Sequence, residues 1–201
     1  MGNLTSISNV LDFYNVHYEI INHTDVIFDK FFDGYILPGV GSFKHAMDII
    51  NVSGLREYIL READNGKPIL GICLGMQLLL DSSTEGGVSK GLSLIEGQVV
   101  KLDNKKFITP HVGWNQVVFS SSSTEAPFMN VVNNHDYYFD HSYYVDTSND
   151  NVIATTHYIK TFPSIINKKN IFGVQFHPEK SQIHGIEMIN NFINFCNVSY
   201  A

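Results

Sequence analysis

A cysteine between two glycines, Gly71-Ile72-Cys73-Leu74-Gly75, and a histidine followed by a carboxylate, Phe176-His177-Pro178-Glu179, have the types and spacing for nucleophilic catalysis. The apolar run Pro68-Ile69-Leu70 precedes the cysteine and another, residues 76–80, follows it, so the order reads as strand, tight turn, helix. Flanking glycines permit a sharp backbone, and a cysteine on such a turn is pushed into view. A free thiol, with a pKa of about 8.5, is a poor nucleophile at neutral pH. A helix N-terminus behind it and a nearby imidazole both favour the thiolate. Residues two apart on an extended segment point the same way, which lets Glu179 accept a hydrogen bond from one imidazole nitrogen while the other faces Cys73. That carboxylate fixes the tautomer and steadies the imidazolium. The plainer alternatives are a buried cysteine packed as a small apolar side chain and a solvent-exposed His-Pro-Glu turn. Cysteine and His–Glu pair together favour the chemistry over both.

Pro38-Gly39-Val40-Gly41 also follows a strand and precedes a helix. Such a turn can aim backbone N–H groups at a developing oxyanion, where the loss of one donor costs about 3 kcal/mol of barrier. A plain strand-to-helix turn is the alternative. No Gly-Lys-Ser/Thr is present, so it is not a phosphate loop. Nine histidines and two cysteines form neither Cys-x-x-Cys nor His-Glu-x-x-His, and neither a metal nor a cofactor is expected. Trp114, the single tryptophan, follows Gly113 and serves either the core or an interface.

The elements needed to hold these groups are legible. Helical spacing predicts helices over 6–14, 43–52 (Phe43, Met47, Ile50 and Val52 inward), 55–63 and 185–196. Short strands are expected at 18–21, 35–37 and 68–72, and apolar strands alternating with helices indicate a parallel α/β sheet. The second half is β-rich, with strands at 99–102, 115–119, 137–139, 142–145, 152–157 and 171–176, the last delivering His177. Residues 120–124 read as an exposed loop. The 201 residues, 44% hydrophobic, suit a single compact domain, 1–201. A net charge of −7 argues against nucleic acid or an anionic membrane as main partner. No run approaches the ~20 apolar residues of a membrane span, no export signal is expected, and two cysteines suit a reduced cytoplasmic compartment.

Gly71-Ile72-Cys73-Leu74-Gly75-Met76-Gln77 and Phe176-His177-Pro178-Glu179-Lys180-Ser181 resemble the motifs of class I glutamine amidotransferases. Within that family the chain is more specifically similar to the glutaminase subunits of imidazole glycerol phosphate synthase. Gly2-Asn3-Leu4-Thr5-Ser6, Pro38 to Phe43, Pro110 to Asn115 and Tyr137 to Tyr143 carry that similarity in the expected order. The resemblance implies a mixed central sheet flanked by helices, with a smaller antiparallel sheet section. It implies a triad of Cys73, His177 and Glu179, an oxyanion site at the backbone of Val40 and Leu74, and L-glutamine held by Gly41, Gln77, Ser142 and Tyr143. Trp114, Asn115, Tyr138 and Lys180 would face a (β/α)8 cyclase/synthase subunit in a heterodimer. That partner takes up the ammonia through an internal passage and makes imidazole glycerol phosphate and aminoimidazole carboxamide ribotide in histidine biosynthesis. Two departures stand out. The family opens with a strand ahead of its Gly-x-Gly-Asn, so Met1 is expected to be internal to a longer natural chain. Asp140 replaces an apolar residue ahead of His141-Ser142, where a carboxylate bears on partner contacts. A paralogous glutaminase amidating a surface-glycan sugar, a non-catalytic glutamine-sensing or scaffolding subunit, and a stand-alone cysteine hydrolase are the competing functions.

Overall fold

Residues Ile-Leu-Gly-Ile-Cys at 69–73 are buried throughout, as a strand covered on both faces must be. In the computed structural model, which describes residues 4–23, 30–102, 109–119 and 134–198, this strand lies inside a six-stranded sheet. It is β2 (Ile69–Cys73), preceded in the chain by helix α1 (Leu4–Phe13), strand β1 (Tyr35–Gly39) and helices α2 (Phe43–Val52) and α3 (Leu55–Asp64). Helix α4 (Leu74–Leu78) follows it directly. The chain continues through β3 (Ser82–Ser83), β4 (Ser89–Lys90), β5 (Gln98–Lys101), β6 (His111–Gln116), β7 (Val118–Phe119), β8 (Asp136–His141) and β9 (Tyr143–Asp146). It ends with β10 (Val152–His157), β11 (Thr161–Lys168), β12 (Ile171–Val174) and helix α5 (Gln182–Val198).

The main sheet runs β1-β2-β12-β11-β10-β7, parallel across its first three strands and antiparallel across the rest. A second sheet runs β4-β3-β5-β9, and β6 pairs with β8 alone. The mixed central sheet flanked by helices is therefore present, while the smaller section consists of two sheets, one containing a parallel pair, β3 with β5. Alternation along β2 divides the core: Leu70 and Ile72 pack with α1 and α5, and Ile69 packs with α2 and α4.

Three local expectations are corrected. Val52 lies half a helical turn away from the face of Phe43, Met47 and Ile50, and it is exposed. Residues 18–21 form no strand; they line a groove of about 580 Å³ with α1, α5 and β1, and without a ladder partner β-propensity alone makes no strand. Strand β11 was not expected, because Pro163 sits within it; the structure pairs Pro163 with Thr155 beside a register shift in β10, where a missing N–H is tolerated. Residues 120–124 lie outside the described residues.

Helix α4 lies directly against the sheet. A Cβ on Gly71 would come within 2.7 Å of the Gly75 and Met76 backbone, and one on Gly75 would overlap the Leu37 carbonyl. Gly75→Ala therefore forces α4 off β1, and we expect it to destabilise the fold by roughly 2–4 kcal/mol, in the range of severe core overpacking. Urea unfolding checks this; a midpoint within error of wild type would contradict the packing described.

Candidate active site

Cys73 ends β2 and caps α4, with φ 55° and ψ −108°. This positive φ is uncommon for a side chain larger than glycine and throws the thiol out of the sheet-to-helix line. Register pairs Gly39 with Cys73, so the Val40-Gly41 turn begins beside the thiol. Gly41 takes φ +106°, which suits glycine, and Val40 is half exposed. The helix that follows has Ser42 at its N-cap with no side-chain cap bond. Instead the Phe43 N–H donates to Glu85 Oε2 at 2.7 Å, so a carboxylate from the turn after β3 anchors the far end of the Val40-Gly41 turn.

His177 and Glu179 meet by a different route from the one expected. The segment is not extended through Glu179: His177 caps a 3-10 turn, Pro178–Lys180, which proline can start because its missing N–H is not needed there. The turn brings Glu179 Oε1 to 2.8 Å from His177 Nδ1, with the two side chains 3% and 1% exposed. Strand β8 brackets the turn. The His177 N–H donates to the Tyr138 carbonyl at 2.8 Å, and the Tyr138 N–H donates to Ser181 Oγ at 3.0 Å. Ser181 in turn donates to the His177 carbonyl at 2.6 Å.

Burial pushes the His177 pKa down, but hydrogen bonds to Cys73 and Glu179 and their negative charges outweigh it, and the pKa is raised to about 10. With Nδ1 held by Glu179, it is Nε2 that faces Cys73. Around Cys73 Sγ lie the Asp140 carbonyl and Gln175 Nε2, each at 3.8 Å. The Asp140 residue itself is exposed, so only its backbone reaches the thiol. Cys73 thus lies at the site that the His177–Glu179 pair occupies.

Gln77 is buried in α4, and its Nε2 donates to the Tyr143 carbonyl at 2.9 Å and to Gln175 Oε1 at 3.1 Å. It thus fixes the start of β9, next to Ser142, whose carbonyl is held by the Leu102 N–H at 2.9 Å. Leu74 opens α4 directly after the thiol. Of the residues expected at a partner face, Trp114, Tyr138 and Lys180 lie together. Trp114 meets Tyr138 edge-on at 6.2 Å between centroids, and Lys180 Nζ stands 5.4 Å from the Tyr138 ring centre. Asn115, one residue along β6, turns to the other side and bonds His111 and the His157 carbonyl. Glu85, Gln175 and Ser181 belong to the surroundings of the site and are absent from the sequence-based expectations. Gln175 carried a signal, being a polar residue in an otherwise apolar strand run, and Ser181 closes the Phe176-to-Ser181 motif.

Among the described residues no group of His, Cys, Asp and Glu is arranged to hold a metal, and no helix is long and apolar enough to cross a membrane.

The sequence model of the family described as Glutamine amidotransferase class-I matches residues 3–195. The imidazole glycerol phosphate synthase subunit HisH of Listeria innocua is 46% identical over 193 residues, covering 95% of this chain and 90% of that protein. The protein of the same name from Halalkalibacterium halodurans is 43% identical over 198 residues, covering 96% and 91%. Among solved structures, one glutamine amidotransferase shares the fold with a TM-score of 0.74 at 12% identity, covering 98% of this chain and 95% of that one. A glutamine amidotransferase from Thermotoga maritima does so with a TM-score of 0.64 at 15% identity, covering 96% and 76%.

Proposed function

The chain belongs to the class-I glutamine amidotransferase family as a glutaminase subunit of the imidazole glycerol phosphate synthase type, and from that premise we propose that Cys73, His177 and Glu179 hydrolyse glutamine and pass its ammonia to a synthase partner. The observation that carries the proposal is the 2.8 Å bond from His177 Nδ1 to Glu179, with Cys73 helping to raise the pKa of the same ring.

In the first step Cys73 Sγ attacks the side-chain amide carbon of glutamine, its proton having already passed to His177 Nε2, so that the ring stands as an imidazolium. The oxyanion is received by backbone N–H groups of Val40 and Leu74, and Glu179 steadies the imidazolium. His177 then gives its proton to the departing amide nitrogen; the C–N bond breaks, and ammonia leaves a thioester. A water molecule, giving a proton to His177, attacks that thioester, and the imidazolium stands beside the sulfur again as glutamate departs. Gly41, Gln77, Ser142 and Tyr143 position the substrate, Gln77 through the Tyr143 carbonyl it holds.

Trp114, Tyr138 and Lys180 form the face on which a (β/α)8 subunit docks, with Asn115 beneath its edge. Direct transfer of ammonia has a chemical reason: in bulk water at pH 7 ammonia is mostly protonated and no longer nucleophilic. The relatives' names, which describe a synthase subunit, favour imidazole glycerol phosphate formation over amidation of a glycan sugar.

A glutaminase working alone would waste glutamine, and the exposed Val40-Gly41 turn gives the partner something to reorient. Glutamate release by the isolated chain is expected to be slow. It should rise roughly 10- to 100-fold on adding the barrel subunit and its nucleotide substrate, a coupling of about 1.4–2.7 kcal/mol. Equal turnover with and without the barrel subunit and its nucleotide would defeat the partner reading.

A further inference from the structure

His111 and His141 are buried and take no part in the steps above, yet their hydrogen bonds run unbroken from the docking face to the substrate strand. The directions follow from the groups themselves. The Tyr143 carbonyl only accepts, so His141 Nδ1, 2.8 Å away, carries a proton. A neutral imidazole holds one proton, so His141 Nε2 is a lone pair, and His111 Nδ1 donates to it at 3.0 Å. His111 Nε2 is then also a lone pair, and it accepts from Asn115 Nδ2 at 3.2 Å. The other Asn115 amide proton goes to the His157 carbonyl at 3.0 Å, and Asn115 Oδ1 accepts from the Gln116 N–H at 2.8 Å. Each side-chain N–H and the Oδ1 of Asn115, and each nitrogen of both rings, is used once in this arrangement, and reversing one link leaves two donors or two acceptors facing each other.

Both rings are held neutral. Burial lowers the His141 pKa to about 3, helped by neighbouring His111 and His177, and burial lowers that of His111 to about 4. His111 is also clamped as a ring, stacked between Phe139 at 4.8 Å and Tyr158 at 4.1 Å. Beyond Tyr143 the connection continues inward. Gln77 donates to the same carbonyl and to Gln175 Oε1, and Gln175 Nε2 lies 3.8 Å from Cys73 Sγ.

We propose that His111 and His141 are positioning residues, locked as two Nδ1–H tautomers, that carry the setting of Asn115, which lies beneath the docking face, to the Tyr143 carbonyl and so to glutamine. The proposal rests on the reading that the partner docks on the Trp114 and Tyr138 face. A partner that presses on Trp114 and shifts β6 moves Asn115 with it, and so the lone-pair side of His111, and the two rings pass that displacement to the one carbonyl that Gln77 also grips. Neither histidine touches substrate or transfers a proton in turnover.

Two measurements test it. The first is ¹⁵N NMR of the full chain labelled in histidine, at pH 7, with His111→Phe and His141→Phe for assignment. Two Nδ1–H tautomers are expected; an Nε2–H tautomer or an imidazolium at either position overturns the proposal. This measurement on the wild-type chain stands even where a variant fails to fold. The second is glutaminase kinetics of His111→Phe, which keeps a stacked ring and removes both nitrogens. Basal turnover of the isolated chain is expected within about two-fold of wild type, while stimulation by the barrel subunit falls at least about five-fold and KM for glutamine in the complex rises. Full stimulation with unchanged KM overturns this proposal alone. No stimulation of the wild-type complex overturns the docking reading, and this proposal with it.

Discussion

Replacing Cys73 by alanine is expected to lower glutamate release on the order of 10⁴-fold or more, the scale seen when a nucleophile acting as part of a triad is removed. The substitution deletes one sulfur and leaves what holds the site intact. The Glu179–His177 bond, the Ser181 bridge to β8 and the Val40-Gly41 turn do not depend on Sγ. The variant should therefore fold, bind glutamine and fail to turn it over. A coupled glutamate assay on the complex reads the loss, and the melting temperature of the same sample reads the fold. The partner's own reaction should persist in this variant when ammonium salt is supplied at alkaline pH, because the defect lies in making ammonia rather than in using it. Retention of glutaminase activity within ten-fold of wild type would remove Cys73 from the mechanism.

The strand–turn–helix around Cys73 could be read from sequence because several local rules agree there. An apolar run needs cover on both faces, glycines at 71 and 75 permit close approach, and an apolar helix segment follows. The same agreement holds for α2 and for β10, whose bounds coincide with those expected. What escaped notice depends on distant partners. Strand β11 carries Pro163 and Ser164 in its middle, and only its place between β10 and β12 makes it a strand. Residues 18–21 have the composition of a strand but no ladder, so the same rule misleads in the opposite direction. Sequence spacing placed Glu179 beside His177 for the wrong reason: alternation on an extended chain gave the right neighbour, while the structure uses a 3-10 turn opened by Pro178. Asn115 shows the limit of a motif. Its neighbour Trp114 faces outward, and pleating sends Asn115 inward to His111. Glu85 lies 42 positions from Phe43, and nothing near either residue announces that one caps the other.

Glu179→Gln is the second large effect, and it separates orientation from charge. A glutamine side chain retains an oxygen able to accept from His177 Nδ1, so the ring and its tautomer should stay in place. The imidazolium formed as Cys73 loses its proton is no longer opposed by a carboxylate with a side chain 1% exposed. We expect kcat to fall roughly 10²- to 10³-fold, with KM for glutamine little changed, because Glu179 holds the charged ring through the chemical steps and is not among the residues that position glutamine. The titration of His177 supplies the independent check. Its folded pKa, about 10, lies above the unfolded value of about 6.5. A group raised on folding stabilises the native state fully below the unfolded pKa and progressively loses that effect as pH rises toward the folded one. In Glu179→Gln only Cys73 still raises the ring, so the His177 NMR midpoint should drop. Wild type should therefore melt above the variant by the widest margin near pH 6, and the margin should close as pH approaches 10. A gap that is constant across this range would mean that Glu179 supports the fold without charging the histidine, and the acid would then have to be sought elsewhere in the site.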